Sequence, residues 1–180
     1  MMPLLKKLAK GVIKMEIKRF SNQYIVKKLT NDDVDDIYRL CIKNKLYYQH
    51  CPPQVTKESI LEDMMVLPPN KTLNDKYYVG FYQENKLIAI MDLIDGYPEK
   101  SIIFIGFFMV EKTIQNQGIA SDIINDLVNY LKTLNYQEIR LAWVKTNPQA
   151  EHFWLKNHFV ALKETISNTN DQVILASRSL

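Results

Sequence analysis

The segment Gln115-Asn116-Gln117-Gly118-Ile119-Ala120 has the residue types of an anion site. It follows an apolar run, Ile102 to Val110, and leads into an amphipathic run, Ser121 to Leu134. A strand, a tight polar turn and a helix in that order present backbone N–H groups that lack an internal partner, at the positive end of a helix dipole. Gly118 has no Cβ, so a ligand can approach the backbone there. Ala120 and Ser121 are small enough to keep the start of the helix open. The turn alone does not say which phosphate-bearing ligand it takes; the elements around it must decide.

Those elements read as one domain over residues 23–180, preceded by a basic extension over 1–22 that is expected to be loosely ordered. Tyr24 to Leu29 reads as a strand. Thr30 or Asn31 then caps a helix whose apolar positions, Val34, Ile37, Tyr38, Cys41 and Ile42, follow helical spacing. Leu46 to Pro53 reads as a loop, and Thr56 to Leu67 as a second helix capped by Thr56. Three strands follow, Lys76 to Gln83, Lys86 to Ile94 and Ser101 to Val110, joined by turns at Glu84-Asn85 and Asp95 to Pro98. After the helix that ends at Asn135 come a strand at Glu138 to Lys145, a helix at Asn147 to Lys156, and strands at Phe159 to Glu164 and Gln172 to Ser177. The order is β-α-α-β-β-β-α-β-α-β-β.

Composition narrows the function. Apolar residues are 47% and charged residues 24%, as expected of a soluble globular chain. Cys41 and Cys51 form no metal-ligand or redox spacing, and two cysteines make no disulfide framework, so a reducing, cytoplasmic setting and no metal are expected. A net charge of +3 with no Lys/Arg stripe gives no reason to expect nucleic acid, and this disfavours a transferase acting on charged tRNA. No run approaches membrane-spanning length. No Gly-Lys-Ser/Thr follows the turn, which disfavours a nucleoside triphosphatase. The GxGxxG pattern is absent and the strands before the turn read as a meander, which disfavours a dinucleotide enzyme.

The order of elements and two linked motifs resemble the GNAT N-acetyltransferase family. The family's phosphate turn, Arg/Gln-x-x-Gly-x-Gly/Ala, is matched by Gln115-x-x-Gly118-x-Ala120, and a Val five residues before it is matched by Val110. The downstream pattern Asn-x-x-Ala-x-x-Leu/Phe-Tyr-x-Lys-x-Gly-Phe is matched by Asn147-x-x-Ala150-x-x-Phe153-Trp154-x-Lys156-x-His158-Phe159. The resemblance covers about residues 24 to 180 and is strongest from 102 to 160. It implies an α/β (α+β) fold: a mixed, mostly antiparallel central sheet, splayed at the cofactor site by a bulge and flanked by helices, the acyl-CoA N-acyltransferase fold. Two residues depart from the pattern. Trp154 stands where the family often has the Tyr that protonates the leaving thiolate, and an indole N–H is no acid at neutral pH. His158 replaces a Gly.

The resemblance further implies acetyl-CoA as acetyl donor and an amine acceptor, of a small molecule or a protein. Backbone N–H groups of Gln115, Asn116, Gln117, Gly118, Ile119, Ala120 and Ser121 would take the pyrophosphate. Phe108, Met109 and Val110 would pair with the pantetheine arm, with Asn147 bonding it, Trp154 beside it and Lys156 neutralising phosphate. The Val110 N–H would be the oxyanion donor. Glu111, Asp92 and His152 are candidates for taking the amine's proton, and each is also readable as an ordinary turn, strand or surface helix residue. Tyr47, Tyr48 and His50 would wall the acceptor or cover the core, and Trp143 would fill the splayed strand. A homodimer through the final strands is left open. A GNAT-like module that binds CoA with little or no transfer is the second reading, carried by Trp154.

Overall fold

The computed structural model describes residues 14–180. A single seven-stranded sheet organises them. In chain order its elements are β1 (Ile25–Lys28), α1 (Val34–Cys41), α2 (Lys45–His50), α3 (Lys57–Met65), β2 (Lys76–Gln83), β3 (Lys86–Asp95), β4 (Ile102–Val110), α4 (Ile119–Thr133), β5 (Glu138–Val144), α5 (Pro148–Lys156), β6 (Val160–Ile166) and β7 (Gln172–Ser179). The strand order across the sheet is β1-β2-β3-β4-β5-β7-β6. Every neighbouring pair is antiparallel except β4 and β5, which run parallel because α4 crosses over between them.

The sheet is covered on both faces. Residues of α4 and α5 (Ile123, Ile124, Leu127, Leu131, Trp154) share one core with Val79, Met91, Ile103, Ile105, Leu141 and Trp143. Residues of α1 and α3 (Ile37, Leu40, Ile60, Met64) share the other with Tyr78, Ile90 and Met109. Alternation along the strands supplies both sets, since successive side chains point to opposite faces. The helix starts follow their capping chemistry. Thr56 accepts from the Ser59 N–H, and Asn147 accepts from the Ala150 N–H ahead of Pro148. Glu84 and Asn85 both hold positive φ, 47° and 64°, as a two-residue hairpin turn requires.

The structure differs from the sequence expectation in three places. Lys45–His50 is a short helix where a loop is expected, because Tyr47 packs against Phe107 and draws the segment onto the sheet. Helix α4 begins at Ile119, two residues before Ser121. The expected loose extension over 1–22 is packed in its last part: Met15 and Phe20 are buried in the core under α4, and the Tyr130 hydroxyl accepts from the Glu16 N–H at 2.8 Å. Residues 1–13 of that extension lie outside the described residues.

β4 and β5 splay apart. β4 and β5 pair only from Ile102 opposite Glu138 to Ile105 opposite Leu141. Beyond that rung they diverge. Across from β3, Asp92 faces Phe107 while Leu93 faces Ile105, so Gly106 is an extra residue in β4. A bulge of this kind bends the strand and inverts which face the following side chains take. Accordingly Ile105 lies in the α4-side core, Phe107 packs on the α1 side, and Phe108 returns to the α4 side. Gly106 suits the tight fit: a Cβ there would stand 3.1 Å from Asp92 Oδ2.

Candidate active site

The wedge between β4 and β5 opens into a cavity of about 430 Å³. The backbone along one wall has polar groups to spare. Glu111 N–H donates to the Ile88 carbonyl at 2.8 Å, so these two form a hydrogen-bonded rung with β3. Rungs alternate in an antiparallel ladder, so the N–H and C=O of Val110 and of Phe108 point away from β3 and into the wedge. No strand among the described residues meets them there, since β5 has already parted.

At the mouth of the wedge lies the turn. Gly118 precedes α4 with φ +87°, and a Cβ on it would meet nothing within 4 Å. The glycine is therefore demanded by its left-handed backbone, and its missing side chain leaves open space over the turn. The first backbone bond of α4 runs from the Asp122 N–H to the Gly118 carbonyl at 3.0 Å, which leaves the N–H groups of Ile119, Ala120 and Ser121 without a helical acceptor. No side chain among the described residues caps them, in contrast to α3 and α5. Lys112 and Lys156 line the same cavity and add positive charge.

One closed network holds the turn to the sheet. Gln115 Nε2 donates to Asn44 Oδ1 at 2.7 Å and to the Val110 carbonyl at 3.0 Å. Asn44 Nδ2 donates to the same carbonyl at 3.3 Å. Beside it, Glu111 is 2% exposed. Its Oε2 accepts from the Thr113 N–H at 2.8 Å and from the Thr113 hydroxyl, and its Oε1 from Lys43 Nζ at 3.3 Å. Burial raises the Glu111 carboxyl, but the Thr113 and Lys43 donors outweigh it and hold the group below its ordinary value. Glu111 is thus an ionised cap for the short 3-10 helix at Lys112–Ile114, neither solvated nor free.

The expected site residues divide into those that line the cavity and those that do not. Phe108, Met109, Val110, Gln115, Asn116, Gly118, Ala120, Ser121, Asn147, Trp154 and Lys156 line it, together with Tyr47 and His152. Asp92, Glu111, Gln117, Ile119, Tyr48 and His50 do not. Asp92 turns to the α1 side, where its Oδ2 accepts from Lys76 Nζ at 2.7 Å while its Oδ1 is buried without a partner among the described residues. Burial raises the Asp92 carboxyl, with Lys76 opposing. His50 Nδ1 lies 3.3 Å from the Thr146 hydroxyl. Asn147 Oδ1 accepts from the Ala150 N–H in capping α5, while its Nδ2 donates to no acceptor among the described residues. Trp154 packs edge-on against Phe153 at 4.8 Å and Phe159 at 5.0 Å, and tilts against Phe108 at 6.0 Å.

Three wall residues carry no sequence signal. Asn44, Leu46 and Cys51 line the cavity beside Tyr47, brought there by α2. Burial raises the phenol of Tyr47 far above its ordinary value, and the neighbouring Cys51 thiol adds to the shift. Trp143 is buried at 4%, lines the cavity, and leaves its indole N–H without a partner among the described residues. His158 holds φ +64°, so the backbone here keeps the left-handed turn that a Gly would adopt freely.

An acetyltransferase from Thermus thermophilus has the same fold, with a TM-score of 0.71 at 14% identity over 88% of this chain and 97% of that one. The PaiA N-acetyltransferase of Thermoplasma acidophilum, solved with coenzyme A, superposes with a TM-score of 0.62 at 16% identity over 87% of this chain and 99% of that one. Spermidine N-acetyltransferase from Vibrio cholerae, solved with CoA and spermine, does so with a TM-score of 0.61 at 21% identity over 88% and 96%. No curated protein matches the sequence. No helix among the described residues is long and apolar enough to cross a membrane. The family model for the acetyltransferase (GNAT) family matches residues 35–159, which include the splayed strands and the turn before α4, and the chain belongs to that family.

Proposed function

We propose that the protein is an acetyl-CoA-dependent N-acetyltransferase that moves an acetyl group to a primary amine of a small molecule or protein by direct attack on the thioester. The observation that carries this reading is the wedge: the Val110 N–H and the Phe108 backbone groups have no strand partner along one side, and the uncapped start of α4 stands at its mouth. A ligand with an anionic head and an amide-bearing arm satisfies both at once. The residues present fit such a donor. N–H groups from Gln115 to Ser121 would take its pyrophosphate, with Lys112 and Lys156 near enough to the cavity to offset charge.

When bound, the donor supplies an activated acyl carbon and a thiolate leaving group. The chain supplies position and electrostatics. Val110 N–H, at the last rung of β4, is the donor for the developing oxyanion. Tyr47 with Asn44, Leu46 and Cys51 forms the wall where an amine would enter. Of the three candidate bases only His152 lines the cavity, and proton removal through water falls to it. Glu111, held ionised by three donors, keeps the strand end in shape. Trp154 acts as a wall.

Thiol release from acetyl-CoA in the presence of a panel of amines (polyamines, amino-acid amides, N-terminal peptides) tests this reading. Turnover with at least one amine supports it. CoA binding with no turnover on any amine favours the CoA-binding module instead.

A further inference from the structure

The cofactor turn and the acceptor wall meet at Asn44, a residue that no motif marks. It sits where α1 ends and α2 begins, 6% exposed. Its Nδ2 donates to the Leu40 carbonyl at 3.1 Å, one of the free carbonyls at the end of α1, and to the Val110 carbonyl at 3.3 Å. Its Oδ1 accepts from Gln115 Nε2, which also donates to the Val110 carbonyl. Both hydrogens of each side-chain amide are used, so the ring is saturated and admits one arrangement.

We propose that Asn44 is a positioning residue for acetyl transfer: with Gln115 it fixes the backbone at Val110 so that the Val110 N–H meets the thioester carbonyl. The inference rests on the donor reading given above. On the β3 side the end of β4 is held by the Glu111–Ile88 rung. On the wedge side there is no ladder among the described residues, because β5 left at Leu141. The two side-chain amides stand in for that ladder at one place, the Val110 carbonyl. The N–H and C=O of a strand residue point the same way when its rung is not hydrogen-bonded, so holding the carbonyl aims the N–H. An oxyanion donor must stand within a few tenths of an ångström of its place, and a shift of about 1 Å costs on the order of a hundredfold in rate. Because α2 starts from Asn44, the same residue also sets the distance from Val110 to Leu46 and Tyr47 on the acceptor wall.

The test is an amide NMR titration of the full chain with CoA and, separately, with acetyl-CoA, following Gly118 and Val110. In the unchanged protein both ligands displace Gly118, through the turn. Acetyl-CoA displaces Val110 further than CoA does, through the thioester carbonyl. In Asn44→Ala the Gly118 response persists, which also reports a folded chain, while the acetyl-specific displacement of Val110 falls by half or more. Gln115→Met removes two bonds of the same ring from the more exposed side and is the second variant should Asn44→Ala fail to fold; it reduces the same displacement. An acetyl-specific displacement that survives in a variant whose Gly118 still responds overturns the proposal, as does its absence from the unchanged protein. If neither ligand displaces Gly118 in the unchanged protein, it is the donor reading itself that fails.

Discussion

Ile105 and Leu141 are the last residues to face each other across β4 and β5. One residue later Gly106 bulges, and from there the two parallel strands separate. A parallel pair that stops mid-strand leaves ladder groups unmade inside a protein, which is costly unless something else pairs with them. At Val110 the protein meets half of that demand itself, through Asn44 and Gln115 on the carbonyl. The N–H groups of Phe108 and Val110 have no strand partner among the described residues.

Gly118 separates backbone strain from ligand contact. Its φ is +87° and a Cβ would meet no atom within 4 Å. Gly118→Ala is therefore expected to cost about 1–2 kcal/mol through the left-handed backbone alone, seen as a lower midpoint in thermal unfolding. Gly118→Glu adds charge and bulk over the turn and is expected to abolish CoA binding in a calorimetric titration. Unchanged CoA affinity in that variant contradicts the assigned turn.

His158 occupies a left-handed position, with φ +64°. His158→Gly relieves that strain, less the larger entropy glycine gives the unfolded chain. The expected gain is on the order of 1 kcal/mol, a rise of roughly 2–4 °C for a chain of this size. A fall in the midpoint would mean that the imidazole makes a contact that outweighs the backbone.

Glu111 makes a pH prediction with a definite sign. Its carboxyl is held below the ordinary value of 4.5 in the folded chain. The stability it contributes is therefore complete above 4.5 and is lost as pH falls through the lower folded value. Glu111→Gln is expected to destabilise by about 1 kcal/mol near neutral pH, the typical cost of a lost cap. The gap between the two proteins in urea unfolding narrows as the pH is taken below 4.5. A gap that widens on acidification contradicts the capping role.

Trp154 tests the chemistry at the leaving group. It is packed among Phe108, Phe153 and Phe159, and its N–H donates to no protein acceptor among the described residues. As a wall, it should tolerate Phe with a modest loss of kcat. A loss above roughly a hundredfold, about 2.7 kcal/mol, would instead give the indole N–H a direct part in transfer.

How far the sequence could be read depended on the range of the interactions. The hairpin at Glu84-Asn85, the cap at Thr56 and the left-handed Asn135 are local events with local signals, and they stand where expected. The order of strands around the turn was legible for the same reason. Helix α2 was not: six residues followed closely by two prolines have no helical period, and only the contact of Tyr47 with Phe107, far along the chain, places them. Met15 and Phe20 were hidden in a basic stretch, and their burial depends on Tyr77 and Tyr130. Asp92 was readable either as a base or as an ordinary strand residue; alternation along β3 puts it on the face of Ile90, and the distant partner Lys76, which the local sequence does not announce, engages it there. Asn44 gave no signal at all, since its role rests on Gln115 and Val110, both far along the chain.

Thermal unfolding with acetyl-CoA, CoA and ATP, each added in turn, tests the central claim most directly. At about a hundred times its dissociation constant a ligand of the folded state adds about 2.7 kcal/mol, several degrees for this chain. Acetyl-CoA and CoA are both expected to raise the midpoint by that order, and ATP, which lacks the pantetheine arm, is not. No shift with either CoA species would contradict the assignment of the wedge and of the turn from Gln115 to Ala120.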